Sequence, residues 1–134
     1  MSNVVDTIRF LQNEIHFDNV KAGWWTDLST GQNLVEECRK GTRFGKSLVA
    51  EKIALIHSEV SEGMEGARKG LQDDKLPHRP MLEVELADSI IRILDLGGAL
   101  QLDIAGAIAE KREFNKSRED HQIENRAKKG GKAY

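Results

Sequence analysis

The distribution of proline constrains this chain most strongly. Its two prolines, Pro77 and Pro80, lie three positions apart among 134 residues. Because proline interrupts helices, long stretches on either side are left in which helices can form. Apolar residues recur there at helical spacing, most clearly in one stripe: Val49, Ile53, Ile56, Val60, Met64 and Ala67. Since no run alternates apolar and polar residues between turn signals, the sequence predicts an all-α fold.

Four long helices are expected, together with one short helix around "NLVEECR" in the loop between residues 18 and 47. The predicted long helices span residues 3–17, 47–69, 81–97 and 104–119. Gly70 is expected to end the second helix, and Asp103 to cap the start of the fourth. The third helix, "VELADSIIRILDL", is apolar on most of its circumference and is expected to be the most buried. This pattern favours a four-helix-bundle-like architecture, in which sites form between facing helices.

The length fits one domain with a single core. We predict an all-α domain over residues 1–121 and a basic, glycine-rich tail over residues 122–134, which includes "ENRAKKGGKAY". Apolar residues make up 39% of the chain and charged residues 31%, which is typical of a soluble globular protein. The formal net charge of −2 argues against a nucleic-acid polymer as partner, because proteins that bind nucleic acids carry a strongly basic surface.

The sequence also predicts a cytoplasmic protein. The chain has no apolar run of membrane-spanning length, and its N-terminus, "MSNVVDTIRF", does not resemble a signal peptide. Cys38 is the single cysteine, so no intramolecular disulfide is possible, which suits a reducing compartment.

Two pairs of acidic residues fall at the expected boundary of the core. Glu59 and Glu62 lie beside the apolar stripe of the second helix, and Glu85 and Asp88 share one side of the third. Carboxylates at such a boundary are costly unless they are paired or bind a cation. Two pairs on facing helices would present four carboxylates to one place, which suits Mg²⁺. The alternative is a solvated acidic face balanced by lysine and arginine.

A basic row follows on the fourth helix. Lys111, Asn115 and Arg118 stand at positions i, i+4 and i+7, and are expected on one face. Such a set can bind phosphate oxygens, with arginine doing so through two hydrogen bonds. The alternative is an ordinary exposed face.

Together these motifs resemble a known family. "SEVSE" and "ELAD" form E-x-x-E followed by E-x-x-D, and "KREFNKSREDH" adds K-x-x-x-N-x-x-R. Over roughly residues 20–121 the chain resembles the MazG-like nucleoside triphosphate pyrophosphohydrolases, an all-α superfamily related to the dimeric dUTP and dCTP pyrophosphatases. Its single-domain length is similar to that of the short phage- or integron-type members.

The resemblance implies a Mg²⁺-dependent enzyme, with Mn²⁺ as a substitute, that hydrolyses a ribo- or deoxyribonucleoside triphosphate to the monophosphate and pyrophosphate. Such an activity would serve nucleotide pool control or house-cleaning. The metal ligands would be Glu59, Glu62, Glu85 and Asp88, and Glu59 or Glu62 would activate the attacking water. Lys111, Asn115 and Arg118 would contact the phosphates. A homodimer or homotetramer is expected.

The loop "KAGWWTD" holds two candidates for binding the base, Trp25 and Trp24, because an indole can stack on a nucleobase. Trp25 is favoured because it matches the position of an aromatic residue in the family. The alternative is a structural tryptophan that fills the end of the bundle or an interface. Two other functions stay open: hydrolysis of the alarmones guanosine tetraphosphate and pentaphosphate, and a non-catalytic helical interaction module.

Overall fold

The computed structural model describes residues 2–134, and these form helices and loops without a β-strand. In chain order the helices are α1 (Ser2–Lys21), α2 (Leu34–Arg39), α3 (Arg43–Lys69), α4 (Met81–Ala99), α5 (Ile104–Ser117) and α6 (Ile123–Arg126). A 3₁₀ turn, Glu119–His121, lies between α5 and α6. The predicted all-α class is therefore confirmed, and α2 lies where the short helix was expected.

The helix ends follow local chemistry. Gly70 ends α3 in the left-handed conformation, with φ of 62°, where glycine meets no steric penalty. The Asp103 carboxylate accepts a hydrogen bond from the Gly106 amide at 3.1 Å and so caps α5. Both predicted ends are confirmed. α5 stops at Ser117, two residues earlier than expected, because Arg118 adopts an extended backbone.

The chain divides into two compact units. One comprises the residues up to Arg9 together with Asp103–Tyr134, and the other comprises Phe10–Leu102. Within the first, Arg9 donates a hydrogen bond to Asp103 at 3.1 Å. Helix α6 belongs to this unit and falls in the segment expected to be a tail.

In the Phe10–Leu102 unit, α3 packs on α4 along two glycines. A Cβ atom at Gly66 would lie 2.9 Å from the side chain of Met81, and one at Gly63 would lie 3.3 Å from Glu85 Cβ. Real Cβ atoms do not approach as closely as the first distance, so Gly66 is needed for this helix spacing. Glycine inside a helix costs about 1 kcal/mol relative to alanine, and here the close contact with α4 compensates for it.

This packing corrects part of one expectation from the sequence. The apolar stripe of α3 was expected to face the core, and Val49 and Ile56 do pack against it. The rest of the stripe is exposed, namely Ile53, Val60, Met64 and Ala67. The face with Glu59, Gly63 and Gly66 is buried instead. The reason is steric: small residues let α4 approach on one side only, whereas periodicity shows an apolar face without showing what covers it.

Helix α4 is buried mainly in its second half. Leu94, Leu96 and Ala99 are buried, and the last two join Trp25, Val35 and Cys38 in the core of this unit. The first half leaves apolar residues exposed, namely Leu82, Leu86 and Ile90. The expectation that this helix is the most buried is thus confirmed for its second half and wrong for its first.

Within the described residues, no helix is both long and apolar enough to cross a bilayer.

Candidate metal centre and cavity

Three carboxylates from two helices converge. Glu59 of α3 and Glu85 and Asp88 of α4 each offer an oxygen atom, and these atoms lie within 4.8 Å of one another. Glu59 is 8% exposed and Glu85 is 7% exposed. The absence of a side chain at Gly63, one turn after Glu59, lets the backbone of α4 bring Glu85 close. We refer to Glu59, Glu85 and Asp88 as the acidic cluster.

The cluster is electrostatically strained without a cation. Burial raises the pKa of Glu85 to about 7, and a hydrogen bond with Glu59 and the charges of Glu62, Glu59 and Asp88 act in the same direction. Burial and the charge of Glu59 also raise the pKa of Asp88, against the opposing effect of Arg92. Because raised carboxylate pKa values mean that negative charge is disfavoured there, the cluster favours binding either a proton or a cation.

The donor set fits a hard divalent cation. All three groups are carboxylates, and oxygen donors are what Mg²⁺ and Mn²⁺ prefer, whereas zinc sites usually draw on cysteine and histidine. Buried, mutually repelling carboxylates are also poorly explained as a solvated acidic face, because such a face would be exposed. The residues therefore fit the magnesium ion that the sequence led us to expect.

Glu62, the fourth predicted ligand, lies outside the acidic cluster. Its side chain is exposed, although the sequence placed it at the edge of the core. It is nonetheless close enough for its charge to raise the pKa of Glu85. Glu65, one turn further, forms an ion pair with Lys69.

Arg92 is bonded to the acidic cluster. Its Nε donates a hydrogen bond to Glu59 Oε1 at 2.5 Å. Its positive charge also lowers the pKa of Asp88, one helical turn before it. The side chain of Arg92 is 41% exposed, whereas that of Glu59 is 11% exposed.

A cavity of about 370 Å³ opens beside the acidic cluster. Glu59, Asp88 and Arg92 line it together with the two tryptophans of the preceding loop. Trp25 is the largest fully buried side chain of the described residues, and the ammonium of Lys52 lies 4.3 Å from the centroid of its ring. Trp24 is 69% exposed. Trp25 thus belongs to the core and to the cavity wall, while Trp24 offers the accessible indole.

Asp95 organises the wall around Trp25. Its buried carboxylate accepts hydrogen bonds from Trp25 Nε1 and Asn19 Nδ2, both at 2.8 Å. His16 Nδ1 lies at the same distance from Asp95 Oδ1. The close approach of α1 that this requires depends on Gly98, where a Cβ atom would lie 2.5 Å from His16 Cβ. One carboxylate thus connects α1, the tryptophan loop and α4.

The predicted phosphate ligands belong to the other unit. Lys111 lies over the ring of Phe114 at 4.8 Å, and the buried Oδ1 of Asn115 has no hydrogen-bond partner among the described residues. Arg118 follows the end of α5 and is not on the helical face that was expected. Its guanidinium donates two hydrogen bonds to Asp120, at 2.9 and 2.7 Å. Arg118 and Lys132 hold the pKa of Asp120 well below its ordinary value.

Sequence reasoning missed Arg92 and Asp95. Both continue the line of Glu85 and Asp88 along α4, at positions i, i+3, i+7 and i+10. These are successive positions on one helical face, and each is charged in a segment that is otherwise mostly apolar. Four charged residues on one line of a buried helix are the signal that would have identified them.

Comparisons with known proteins add no relative. The chain matches no protein-family model, no curated protein and no solved structure. The features that indicate a function are the acidic cluster, the cavity and the resemblance of the motifs.

Proposed function

We propose that this chain is a Mg²⁺-dependent nucleoside triphosphate pyrophosphohydrolase. The observation that carries the proposal is the acidic cluster, in which Glu59 and Glu85 are buried residues. Glu59, Glu85 and Asp88 would hold the metal ion, with Glu62 as a further ligand or as a catalytic base beside them. The adjacent cavity supports a substrate larger than the ion itself.

The proposed reaction cleaves the bond between the α- and β-phosphates. The oxygen of a water molecule bonds to the α-phosphorus, the bond from that phosphorus to the bridging oxygen breaks, and pyrophosphate leaves with the bridging oxygen. Magnesium at the cluster would supply charge neutralisation of the phosphate oxygens and a lower pKa for the attacking water.

A carboxylate of α3 would take the proton of that water. Both Glu59 and Glu62 are candidates. Glu59 belongs to the acidic cluster, whereas Glu62 lies outside it and is exposed. Glu62 also lies close enough to the cluster for its charge to act on Glu85. These observations support Glu62 as the general base and Glu59 as a metal ligand.

The nucleobase is assigned to the tryptophan side of the cavity. Trp24 would stack on the base through its exposed ring, and Trp25 would form the wall behind it. Lys52 covers one face of Trp25, which supports a structural role for that ring. Lys111, Asn115 and Arg118 stay proposed phosphate ligands on the motif resemblance alone.

Self-association is part of the proposal. The exposed apolar residues of α3 and α4 include Val60, Met64 and Ile90, which are 49%, 59% and 54% exposed. Ile53, Leu82 and Leu86 of the same two helices are also exposed. We refer to these six residues as the apolar face, because exposed apolar surface of this kind marks interaction sites. A second copy of the chain, in a homodimer or homotetramer, is the partner we propose for it.

Purified protein tests the proposed enzyme through its metal site. Wild-type protein should hydrolyse a nucleoside triphosphate in Mg²⁺ and not in EDTA. Glu59→Gln and Asp88→Asn should each lose the activity while the helical circular dichroism signal is retained. Activity that survives in both variants would reject the assigned site.

A further inference from the structure

Arg92 stands apart from the other residues around the acidic cluster because it is a cation bonded to a proposed metal ligand. Its Nε donates to Glu59 Oε1, and its charge also acts on Asp88. In the described residues its two terminal nitrogen atoms donate no hydrogen bond to protein. A guanidinium whose two terminal nitrogen atoms are both left to donate is suited to binding a further oxyanion, because arginine binds phosphate through two parallel hydrogen bonds.

Arg92 and a divalent cation would compete for the carboxylate of Glu59. The guanidinium provides one positive charge to a cluster of three carboxylates. A divalent ion held by Glu59, Glu85 and Asp88 would supply two charges. It would weaken the attraction between Arg92 and Glu59 and would repel the guanidinium.

Once released from Glu59, the side chain of Arg92 can extend into the adjacent cavity. Arg92 lines the cavity that also contains Trp24 and Trp25, and 41% of its side chain is already accessible. It lies on the same face of α4 as Asp88, one turn further along. The long, flexible side chain of Arg92 can therefore reach a phosphate group that approaches the cluster from the cavity.

We propose that Arg92 is a phosphate-binding residue, and that its hydrogen bond to Glu59 keeps it from binding phosphate until a divalent cation occupies the acidic cluster. This inference rests on the proposed function and deepens it. Arg92 lowers the affinity of the metal-free protein for the cation and raises the affinity of the metal-loaded protein for a polyphosphate. Nucleotide therefore binds after, or together with, its metal.

The opposite signs of these two effects give a direct test with Arg92→Met. Calorimetric titration with Mg²⁺ alone should show about tenfold tighter binding than in wild type, because loss of a charge-assisted hydrogen bond to Glu59 has roughly this effect or more. Titration with inorganic triphosphate, in excess Mg²⁺, should show binding that is weaker by about tenfold or more. Arg92→Lys keeps the charge, and its affinity in each titration should lie between those of wild type and Arg92→Met.

Arg79→Met is the matched control. Arg79 pairs with Glu83 at 2.7 Å near the start of α4, where both side chains are more than half exposed, and neither residue lines the cavity. Its loss should change neither titration.

Weaker Mg²⁺ binding by Arg92→Met would overturn the inference, since it would mean that Arg92 merely positions Glu59 as a ligand. Unchanged triphosphate binding would overturn it as well. Wild-type protein that binds no Mg²⁺ would overturn the proposed function together with it, whereas Mg²⁺ binding and activity without the two opposite shifts would reject the role of Arg92 alone.

Discussion

Replacing Glu85 by glutamine tests the electrostatic account of the acidic cluster. In the metal-free protein the pKa of Glu85 is raised to about 7 from the ordinary value of 4.5. Between these values the folded protein carries a proton that the unfolded chain has lost, so stability falls as pH rises through this window and levels off above about pH 7. At about 1.4 kcal/mol per pH unit, the difference corresponds to about 3 kcal/mol at alkaline pH.

Glu85→Gln removes this penalty because the amide stays neutral. In EDTA, the variant should unfold at higher urea concentration than wild type at about pH 8, with a gain in unfolding free energy approaching 3 kcal/mol. Near pH 4.5 the gain should be much smaller, because Glu85 is then protonated in the folded wild-type protein. Circular dichroism during urea titration at both pH values provides the measurement.

Glu83→Gln serves as the control, because Glu83 lies two residues earlier on α4 with 57% of its side chain exposed. It should show no such difference between the two pH values. Equal stability of Glu85→Gln and wild type at about pH 8, or a gain that does not depend on pH, would refute the reasoning. With Mg²⁺ added, wild type should gain melting temperature and Glu85→Gln should gain little.

Three further predictions concern the cavity wall and the apolar face. Asp95→Asn should lower the unfolding free energy by roughly 2–3 kcal/mol in urea titration, because an NH2 group replaces one of the two accepting oxygens and faces a buried donor; unchanged stability would contradict the role of Asp95. Trp24→Ala should leave the melting temperature nearly unchanged but raise KM for nucleotide about tenfold, as loss of a stacking ring does; an unchanged KM would remove Trp24 from the base site. Met64→Glu and Ile90→Glu should each convert an oligomer to monomer in light scattering after size-exclusion chromatography, with helicity retained; monomeric wild-type protein would contradict self-association.

The helical layout could be predicted because it depends on local chemistry. Proline and glycine positions, apolar spacing and the capping side chain of Asp103 act within a few residues of each helix end. Those signals located α2 to α5 to within a few residues at most of their ends. Some ends were missed: α1 runs four residues further than expected, α3 begins four residues earlier, and α5 stops early at the extended backbone of Arg118.

The site could be predicted in part. Glu59, Glu85 and Asp88 were proposed as ligands from their spacing, and the structure brings them together. Glu62 shares the motif, but its side chain is exposed on α3, which the spacing of the motif does not indicate. Arg92 was missed because its role depends on a contact with another helix.

The outward apolar face of α3 illustrates a more general limit. Periodicity shows that one side of a helix is apolar, yet burial within the chain also needs a neighbour that fits. Here Gly63 and Gly66 admit α4 on the other side. The small size of these two residues therefore determines which face of α3 is covered by α4, and the spacing of apolar residues along α3 does not indicate this.

The most direct test of the central claim is to identify the products formed in Mg²⁺ from each of the common ribo- and deoxyribonucleoside triphosphates. Phosphorus NMR distinguishes the possible products without a coupled enzyme. The proposed reaction predicts nucleoside monophosphate and pyrophosphate in equal amounts, with loss of turnover in Asp88→Asn. Nucleoside diphosphate with orthophosphate, or no turnover of any nucleotide, would contradict it.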